Sequence, residues 1–159
     1  MKKLVSALVV LMMLALACTA FAEADLSDWV EVQLPDIGMH FYRPADMDVG
    51  EPDTESAQAY VATNDDLVVA IYVIATNDST ADDIIASLQE IGMTAEVNAL
   101  SEAGLTYDHI VASYEDVDTY GAVIFLGSDG YWYDFEVQAL SDTGLTTFGM
   151  MLATLSPIE

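Results

Sequence analysis

Positive charge is scarce in this sequence, which has 159 residues and contains 3 Lys and Arg against 27 Asp and Glu. The three cations are Lys2, Lys3 and Arg43. Proteins that bind nucleic acid or anionic membrane surfaces do so by placing Lys and Arg beside phosphate groups. We therefore expect this chain to bind no nucleic acid, no anionic membrane surface and no phosphorylated ligand.

Cysteine is almost absent as well, because Cys18 is the only one. A single cysteine excludes an internal disulfide and a multi-cysteine metal site. The Gly-x-Ser-x-Gly motif, the His-Glu-x-x-His motif and the Gly-rich phosphate loop are missing too. The sequence therefore predicts that the protein is not an enzyme and has no catalytic residue. It also predicts no cofactor, apart from a weak Ca²⁺ site.

The N-terminus has the pattern of a cleavable secretory signal. Lys2 and Lys3 precede an apolar run over residues 4–18, and Ala20 and Ala22 put small residues at the two positions that a signal peptidase reads. A helix that spans a bilayer needs about 20 apolar residues, and this run is shorter. We therefore predict a signal peptide with a cut after Ala22, and a secreted, extracellular protein.

Cys18 offers an alternative processing route. Residues 15–18 resemble a bacterial lipoprotein box, in which the cysteine is lipidated and becomes the first residue of the mature chain. Ala15 stands where such boxes usually carry leucine. Lipidation at Cys18 would anchor the protein at the cell envelope.

Cutting after residue 22 leaves residues 23–159 as a single globular acidic domain. The loss of Lys2 and Lys3 takes the formal net charge from −24 to −26. So many like charges favour solubility and a monomer but weaken the compact state by self-repulsion. The remaining partner classes are a neutral ligand, a cationic ligand or another protein.

Alternating residues over 29–35, 37–43 and 131–139 predict half-buried strands, and short apolar runs between turn signals predict others. The predicted strands are 29–35, 37–43, 58–63, 67–75, 96–100, 105–114, 120–126 and 131–139, with a loop over 44–56. Residues 64–66 and 127–130 have turn composition and predict hairpins. Residues 67–74 are apolar throughout, which predicts a central strand covered on both faces.

Two helices are predicted beside these strands. Thr80 is a typical N-cap, Asp82 and Asp83 lie in the first turn, and Gly92 ends the segment. A second helix is predicted over 143–155. Grouped strands with separate helices predict the α+β class: a mainly antiparallel sheet of six to eight strands with helices packed on its faces, as an α/β/α sandwich.

Three segments and the order of elements resemble the PsbP-like α/β/α sandwich. The segments are Phe41-Tyr42-Arg43-Pro44, Tyr131-Trp132-Tyr133 and Leu155-Ser156-Pro157. That group includes extrinsic photosystem subunits and small secreted bacterial proteins of unknown function. The resemblance implies this fold and a non-enzymatic binding role, and it carries over no functional residues.

Two sets of residues are candidate sites. Aromatic rings can form a stacking surface for a sugar or peptide, and the candidates are Trp29, Tyr42, Trp132 and Tyr133. Loop carboxylates can bind calcium outside an EF-hand, and the candidates are Asp46, Asp48, Glu51 and Asp53 or Glu115, Asp116 and Asp118. The two histidines, His40 and His109, lie too far apart in sequence to predict a zinc site.

The sequence therefore predicts a secreted, non-enzymatic binding or accessory domain for an unknown protein, neutral ligand or cationic ligand. One alternative is a secreted hydrolase of a neutral polymer that uses a pair of carboxylates. Another is an envelope protein that binds divalent cations weakly.

Overall fold

The computed structural model describes residues 26–76, 78–98, 108–114, 117 and 119–158. The predicted leader, with Cys18, Ala20 and Ala22, lies outside the described residues, and so do the candidate calcium ligands Glu115, Asp116 and Asp118. No helix in this described part has the length and hydropathy that crossing a bilayer requires.

Ten strands and two α-helices occur within the described residues. The strands are β1 (Trp29–Leu34), β2 (Met39–Pro44), β3 (Asp48–Val49), β4 (Gln58–Thr63), β5 (Leu67–Thr76), β6 (Met93–Val97), β7 (His109–Tyr114), β8 (Tyr120–Leu126), β9 (Tyr131–Ala139) and β10 (Ser156–Pro157). The helices are α1 (Ala81–Glu90) and α2 (Asp142–Thr154), and a 3₁₀ turn covers Thr54–Ser56.

The strands form two sheets in which every described pair is antiparallel. The small sheet has the order β1-β2-β10, and the large sheet has the order β3-β4-β5-β9-β8-β7-β6. Helix α1 packs against β6 and β7, whereas α2 packs against β2, β5 and β9. The predicted α+β class is thus confirmed, and the large sheet has seven strands, within the predicted six to eight.

Most elements lie where the local pattern predicts them. The bounds of β4, β8 and β9 match, and both predicted hairpins form. Strand β6 begins at Met93, three residues earlier than predicted, and residues 99–107 lie outside the described part. The predicted loop over 44–56 also contains β3, and no local pattern predicts β10.

The start of α1 follows the predicted capping chemistry. The Thr80 hydroxyl accepts a hydrogen bond from the Asp83 backbone N–H at 3.3 Å, and the Asp83 carboxylate accepts one from the Thr80 backbone N–H at 2.8 Å. This capping box satisfies two backbone donors that a helix start leaves unpaired. The helix stops before Gly92, which has a φ of 86° that suits glycine.

The inner core lies between the large sheet on one side and α2 with the small sheet on the other. Its largest fully buried side chains are Phe41, Phe125, Phe135, Phe148, Leu67, Ile71, Met151 and Leu152. Phe135 is at the centre, with its ring 5.0 Å from that of Phe41 and 5.2 Å from that of Phe148. This core therefore joins β9, β2 and α2 into one unit.

A second cluster, the α1 core, lies on the opposite face of the large sheet. It consists of Ile84, Leu88, Met93, Ile110, Ala112, Ala122, Ile124 and Trp132. Because α1 lies at the β6 edge, it reaches only the end of β5, at Ala75, and Val68 and Tyr72 are only half-buried. The prediction that β5 is covered on both faces is therefore wrong for the face on which α1 lies.

Candidate functional site

A cleft of about 590 Å³ opens beside α1 on this partly covered face. We call it the α1 cleft. Its apolar walls are Ile74, Ala75, Ile84, Leu88, Ile91 and Met93, and its polar and aromatic groups are Ser79, Asp83, Ser87, Tyr114, Tyr120, Asp134 and Glu136. A mostly apolar cleft with a few polar groups is the usual form of a small-ligand site.

The alternation of β9 places two carboxylates in this cleft. Tyr133, Phe135 and Val137 point into the inner core, so Asp134 and Glu136 point to the other face. Trp132, on that same face, is buried in the α1 core, where its indole N–H donates to the Ser79 carbonyl at 3.0 Å. Helix α1 thus covers the start of β9 and leaves its acidic middle at the cleft.

Asp134 is the least compensated polar group of the cleft. Its Oδ1 atom is buried and has no hydrogen-bond partner among the described residues. Its neighbours across the sheet are Tyr72 and Ile124. Burial, with a smaller contribution from the negative charge of Glu136, raises the pKa of Asp134 to about 7. A buried polar group without a hydrogen-bond partner destabilises the fold, so such groups are often found where a ligand or a water supplies the missing hydrogen bond.

Tyr120 connects the second carboxylate to the aromatic wall. Its hydroxyl donates to Oε2 of Glu136 at 2.6 Å, and its ring lies 5.2 Å from the ring of Tyr114. Burial, followed by the negative charge of Asp134 and the hydrogen bond to Glu136, raises the pKa of Tyr120 well above its usual range. The phenol therefore stays protonated and keeps one oxygen of Glu136 occupied as an acceptor.

A solved structure resembles this architecture over most of its length. The solution structure of cyanobacterial PsbP (CyanoP) from Synechocystis sp. PCC 6803 matches with a TM-score of 0.53 and 12% sequence identity, over 84% of this chain and 95% of that chain. The fold is PsbP-like. The expected resemblance is thereby confirmed at the level of fold.

The other comparisons add nothing beyond the PsbP-like fold. A crystal structure from Bacteroides thetaiotaomicron VPI-5482 matches with a TM-score of 0.46 and 9% identity, over 83% of this chain and 49% of that chain. No protein-family model matches the sequence, and no curated protein matches it.

The PsbP-like fold separates the four aromatic residues proposed from the sequence as a stacking surface. Trp132 is buried in the α1 core, and Tyr133 is buried in the inner core on the other side of the sheet. Trp29 and Tyr42 are half-buried on the small sheet. Because neighbouring positions of a strand face opposite ways, these side chains do not form one stacking surface.

The acidic loop candidates have local hydrogen-bond partners. Asp46 accepts from the Asn64 amide at 3.3 Å, and Asp53 accepts from the Ser56 hydroxyl at 2.7 Å and the Glu55 backbone N–H at 3.0 Å. The hydrogen bond from Ser56, more than that from Glu55, lowers the pKa of Asp53. Asp48 lies in β3 and Glu51 follows it, both exposed.

Within the part of the chain that is described, no group of three or more His, Cys, Asp or Glu side chains is placed to hold a metal ion. The calcium candidates Asp46, Asp48, Glu51 and Asp53 belong to this part and are therefore not grouped as metal ligands. Glu115, Asp116 and Asp118 lie outside the described residues, so a calcium site there stays a prediction.

Asp134 and Glu136 are the site residues that sequence reasoning missed. The alternation of β9 does place both on the face opposite Phe135, which is correct. In an antiparallel sheet with one solvated face, that position predicts ordinary exposed carboxylates. Their burial depends on where α1 lies, and no local pattern of β9 contains that information.

Proposed function

We propose that this protein is an exported accessory domain that binds, without converting it, a small organic cation in the α1 cleft. The observation that carries the proposal is Asp134, a buried carboxylate whose Oδ1 has no partner among the described residues and which lines the cleft. An ammonium group supplies both the charge and the hydrogen-bond donor that this oxygen lacks. The PsbP-like resemblance, which implies binding rather than catalysis, supports the accessory role.

The electrostatics of the chain favour a cation over an anion. A formal net charge of −24, or −26 without Lys2 and Lys3, attracts cations and raises their local concentration in an acidic cleft. Arg43 is the only other Lys or Arg, and its Nη1 donates to the carbonyls of Pro44 at 2.9 Å and Met47 at 2.8 Å. The Nη1 hydrogen bonds are thus directed to nearby backbone carbonyls, which supports exclusion of anionic ligands.

The walls of the cleft favour a cation with an apolar or aromatic body. Ile84 and Leu88 of α1 and the rings of Tyr114 and Tyr120 offer apolar surface beside the carboxylates. An ammonium close to a tyrosine ring also gains a cation–π attraction of roughly 0.5–2 kcal/mol. We therefore infer an aryl- or alkylammonium ligand whose nitrogen lies at Asp134.

Binding of 2-phenylethylamine, compared with that of its neutral analogue 2-phenylethanol, tests the proposal. At pH 8 we expect the amine to bind at least about tenfold more tightly, because only the amine pairs with the ionised carboxylate. Asp134→Asn is expected to weaken amine binding about 30-fold or more and to leave the alcohol unaffected. Below pH 7, amine affinity should fall about tenfold per pH unit, since Asp134 must first lose a proton. Isothermal titration calorimetry measures all three.

A matched control is Asp65→Asn, which removes an exposed carboxylate from the β4–β5 turn, outside the cleft. It changes the net charge by the same amount, so it should leave amine affinity almost unchanged. Equal binding of amine and alcohol, or equal losses in the two variants, would mean that overall charge and not Asp134 holds the ligand.

A second candidate is the carboxylate-pair hydrolase, and one observation favours it. Asp134 has a pKa of about 7, and Glu136 lies two residues further on the same face, roughly 7 Å along the strand. Inverting glycosidases separate their acid and base by roughly 6.5–9.5 Å. Release of nitrophenol from neutral nitrophenyl glycosides, lost in both Asp134→Asn and Glu136→Gln, would favour this function over simple binding.

Export is part of the proposal and follows from the leader pattern. Expressed with its own N-terminus in a secreting bacterial host, the protein is expected to appear outside the cytoplasm with Glu23 as its first residue. Intact-mass spectrometry of the released protein measures this. A diacylglyceryl group on Cys18 would instead support envelope anchoring, and an uncut chain inside the cell would contradict export.

A further inference from the structure

Three polar side chains form a hydrogen-bonded chain on the outward face of the small sheet. Glu31 lies on β1, His40 on β2 and Ser156 on β10. The Glu31 Oε1 atom is 2.9 Å from His40 Nδ1, and the Ser156 hydroxyl oxygen is 2.9 Å from His40 Nε2. Carboxylate, imidazole and hydroxyl thus stand in the order that activates a serine nucleophile. Their spacing in sequence, with Ser156 over a hundred residues from His40, hides this set from motif searches.

The register of the small sheet explains why the three groups meet. Ser156 lies directly opposite His40 in the β2–β10 pair, whereas Glu31 is two residues before Gln33, the residue opposite His40 in the β1–β2 pair, and reaches His40 as a diagonal neighbour. Directly opposed residues have Cβ atoms roughly 4.5–5.5 Å apart, within reach of a hydrogen bond between side chains. Met39 and Phe41 point into the inner core, which holds β2 in place beneath His40.

The carboxylate decides which imidazole nitrogen carries the proton. Ionised Glu31 can only accept a hydrogen bond, so Nδ1 of His40 is the protonated nitrogen. In the neutral ring Nε2 is then an acceptor for the Ser156 hydroxyl at 2.9 Å, a shorter distance than the 3.3 Å from that hydroxyl to the Thr154 carbonyl, its other acceptor. This is the tautomer in which histidine acts as a base toward a serine.

We propose that Ser156 is a nucleophile, activated by His40 and positioned through Glu31, that hydrolyses small neutral carboxylic esters. This activity is separate from ligand binding in the α1 cleft, because the two sites lie on different sheets. The Ser156 oxygen bonds to the ester carbonyl carbon while its proton passes to His40 Nε2. The bond to the alkoxy oxygen then breaks, and the leaving alcohol takes that proton. Water repeats the sequence through His40, which releases the carboxylic acid and restores the Ser156 hydroxyl.

The surroundings of Ser156 suit such a substrate. Glu31, Gln33, His40, Ser156, Pro157 and Ile158 line a groove of about 580 Å³. The exposed fraction of the His40 side chain is 26%, and both His40 and Ser156 line the groove, so an ester that enters it lies beside this pair. Pro157 and Ile158 offer apolar contact for an acyl group, and the Gln33 amide carries donors for a developing oxyanion. The surplus of carboxylates on the chain excludes anionic esters.

A fluorophosphonate probe tests the nucleophile without knowledge of the natural ester. The purified protein is expected to form one covalent adduct, which peptide mass spectrometry locates on Ser156. His40→Gln should slow labelling by about 100-fold or more, because the general base is lost. Ser156→Ala should abolish it, and Ser56→Ala should not change it, since the Ser56 hydroxyl donates to Asp53 with no histidine involved. An adduct elsewhere, no adduct, or a labelling rate that His40→Gln leaves unchanged would overturn the proposal.

Hydrolysis of p-nitrophenyl acetate separates the role of Glu31 from a purely structural one. As a positioning residue, Glu31 acts through its hydrogen bond to His40, so Glu31→Gln is expected to lower kcat about tenfold or more with a much smaller effect on KM. Glu31→Asp should recover part of kcat because it restores the carboxylate. Equal kcat in the parent and Glu31→Gln proteins would contradict this role. If Ser156→Ala unfolds the small sheet, adduct mapping in the parent and His40→Gln proteins still decides the proposal.

Discussion

When the pH rises from 4 to 8, the free energy of unfolding of the parent protein is expected to fall by about 4 kcal/mol more than that of the Asp134→Asn variant. The cause is the single carboxyl group of Asp134, whose pKa burial raises to about 7 in the folded protein. Asparagine has a similar shape and does not titrate. Urea unfolding at several pH values, followed by circular dichroism, measures the difference.

The sign follows from proton binding in the two states. In the unfolded chain Asp134 has an ordinary pKa, near 3.8, so between about pH 4 and 7 the folded state holds the proton and the unfolded state does not. Folding is then favoured by low pH, and this stabilisation is complete below the unfolded pKa. It is lost as the pH rises through 7 and stays lost above it.

Other carboxylates also charge in this range, and their mutual repulsion weakens the fold in the same direction. The comparison between parent and variant removes that common part. Asp65→Asn, the exposed control, should keep the steep pH dependence of the parent. Parallel plots of unfolding free energy against pH for the parent and Asp134→Asn would show that Asp134 ionises normally. The main support for cation binding in the α1 cleft would then be removed.

Replacing Phe135 with alanine is expected to lower the free energy of unfolding by about 3–5 kcal/mol. The Phe135 side chain is completely buried, and its ring contacts the rings of Phe41 on β2 and Phe148 on α2. The substitution removes apolar burial and leaves a cavity at the junction of both sheets and α2. Neighbours on two separate elements, β2 and α2, cannot both move to fill it.

Tyr131→Ala on the same strand is the matched control, because the exposed fraction of Tyr131 is 44%. Its effect should stay within about 0.5 kcal/mol. Urea unfolding with an unchanged slope attributes the loss to stability and not to the unfolded state. A loss below about 1 kcal/mol for Phe135→Ala would mean that the two sheets do not share one core.

Local patterns predicted the local structure well. The alternation of apolar and polar residues predicted β9, the apolar run before the 127–130 turn predicted β8, and the Asn64–Asp66 turn predicted the β4–β5 hairpin. Thr80 and Asp83 gave the start of α1, since a capping box depends only on residues three apart. These elements were predictable because the groups that determine them are neighbours in sequence.

Relations between distant elements were not predictable in this way. Strand β10 has only two residues, and it exists because α2 brings the chain back beside β2. The half-open face of β5 results from the position of α1 at the β6 edge. Both candidate sites depend on such relations, so reasoning from local motifs found neither of them.

The sequence by itself determined the charge, the near absence of cysteine, the alternation along each strand and the choice of an α+β sandwich. Composition and short-range periodicity contain this information whatever the chain packs against. Only the tertiary structure decided that the Asp134 Oδ1 atom is buried with no hydrogen-bond partner in the described part of the chain, and that His40 lies between Glu31 and Ser156. The physical reason is that desolvation and side-chain hydrogen bonding depend on which distant atoms surround a group, and the packing of α1 and the pairing of β10 set those surroundings.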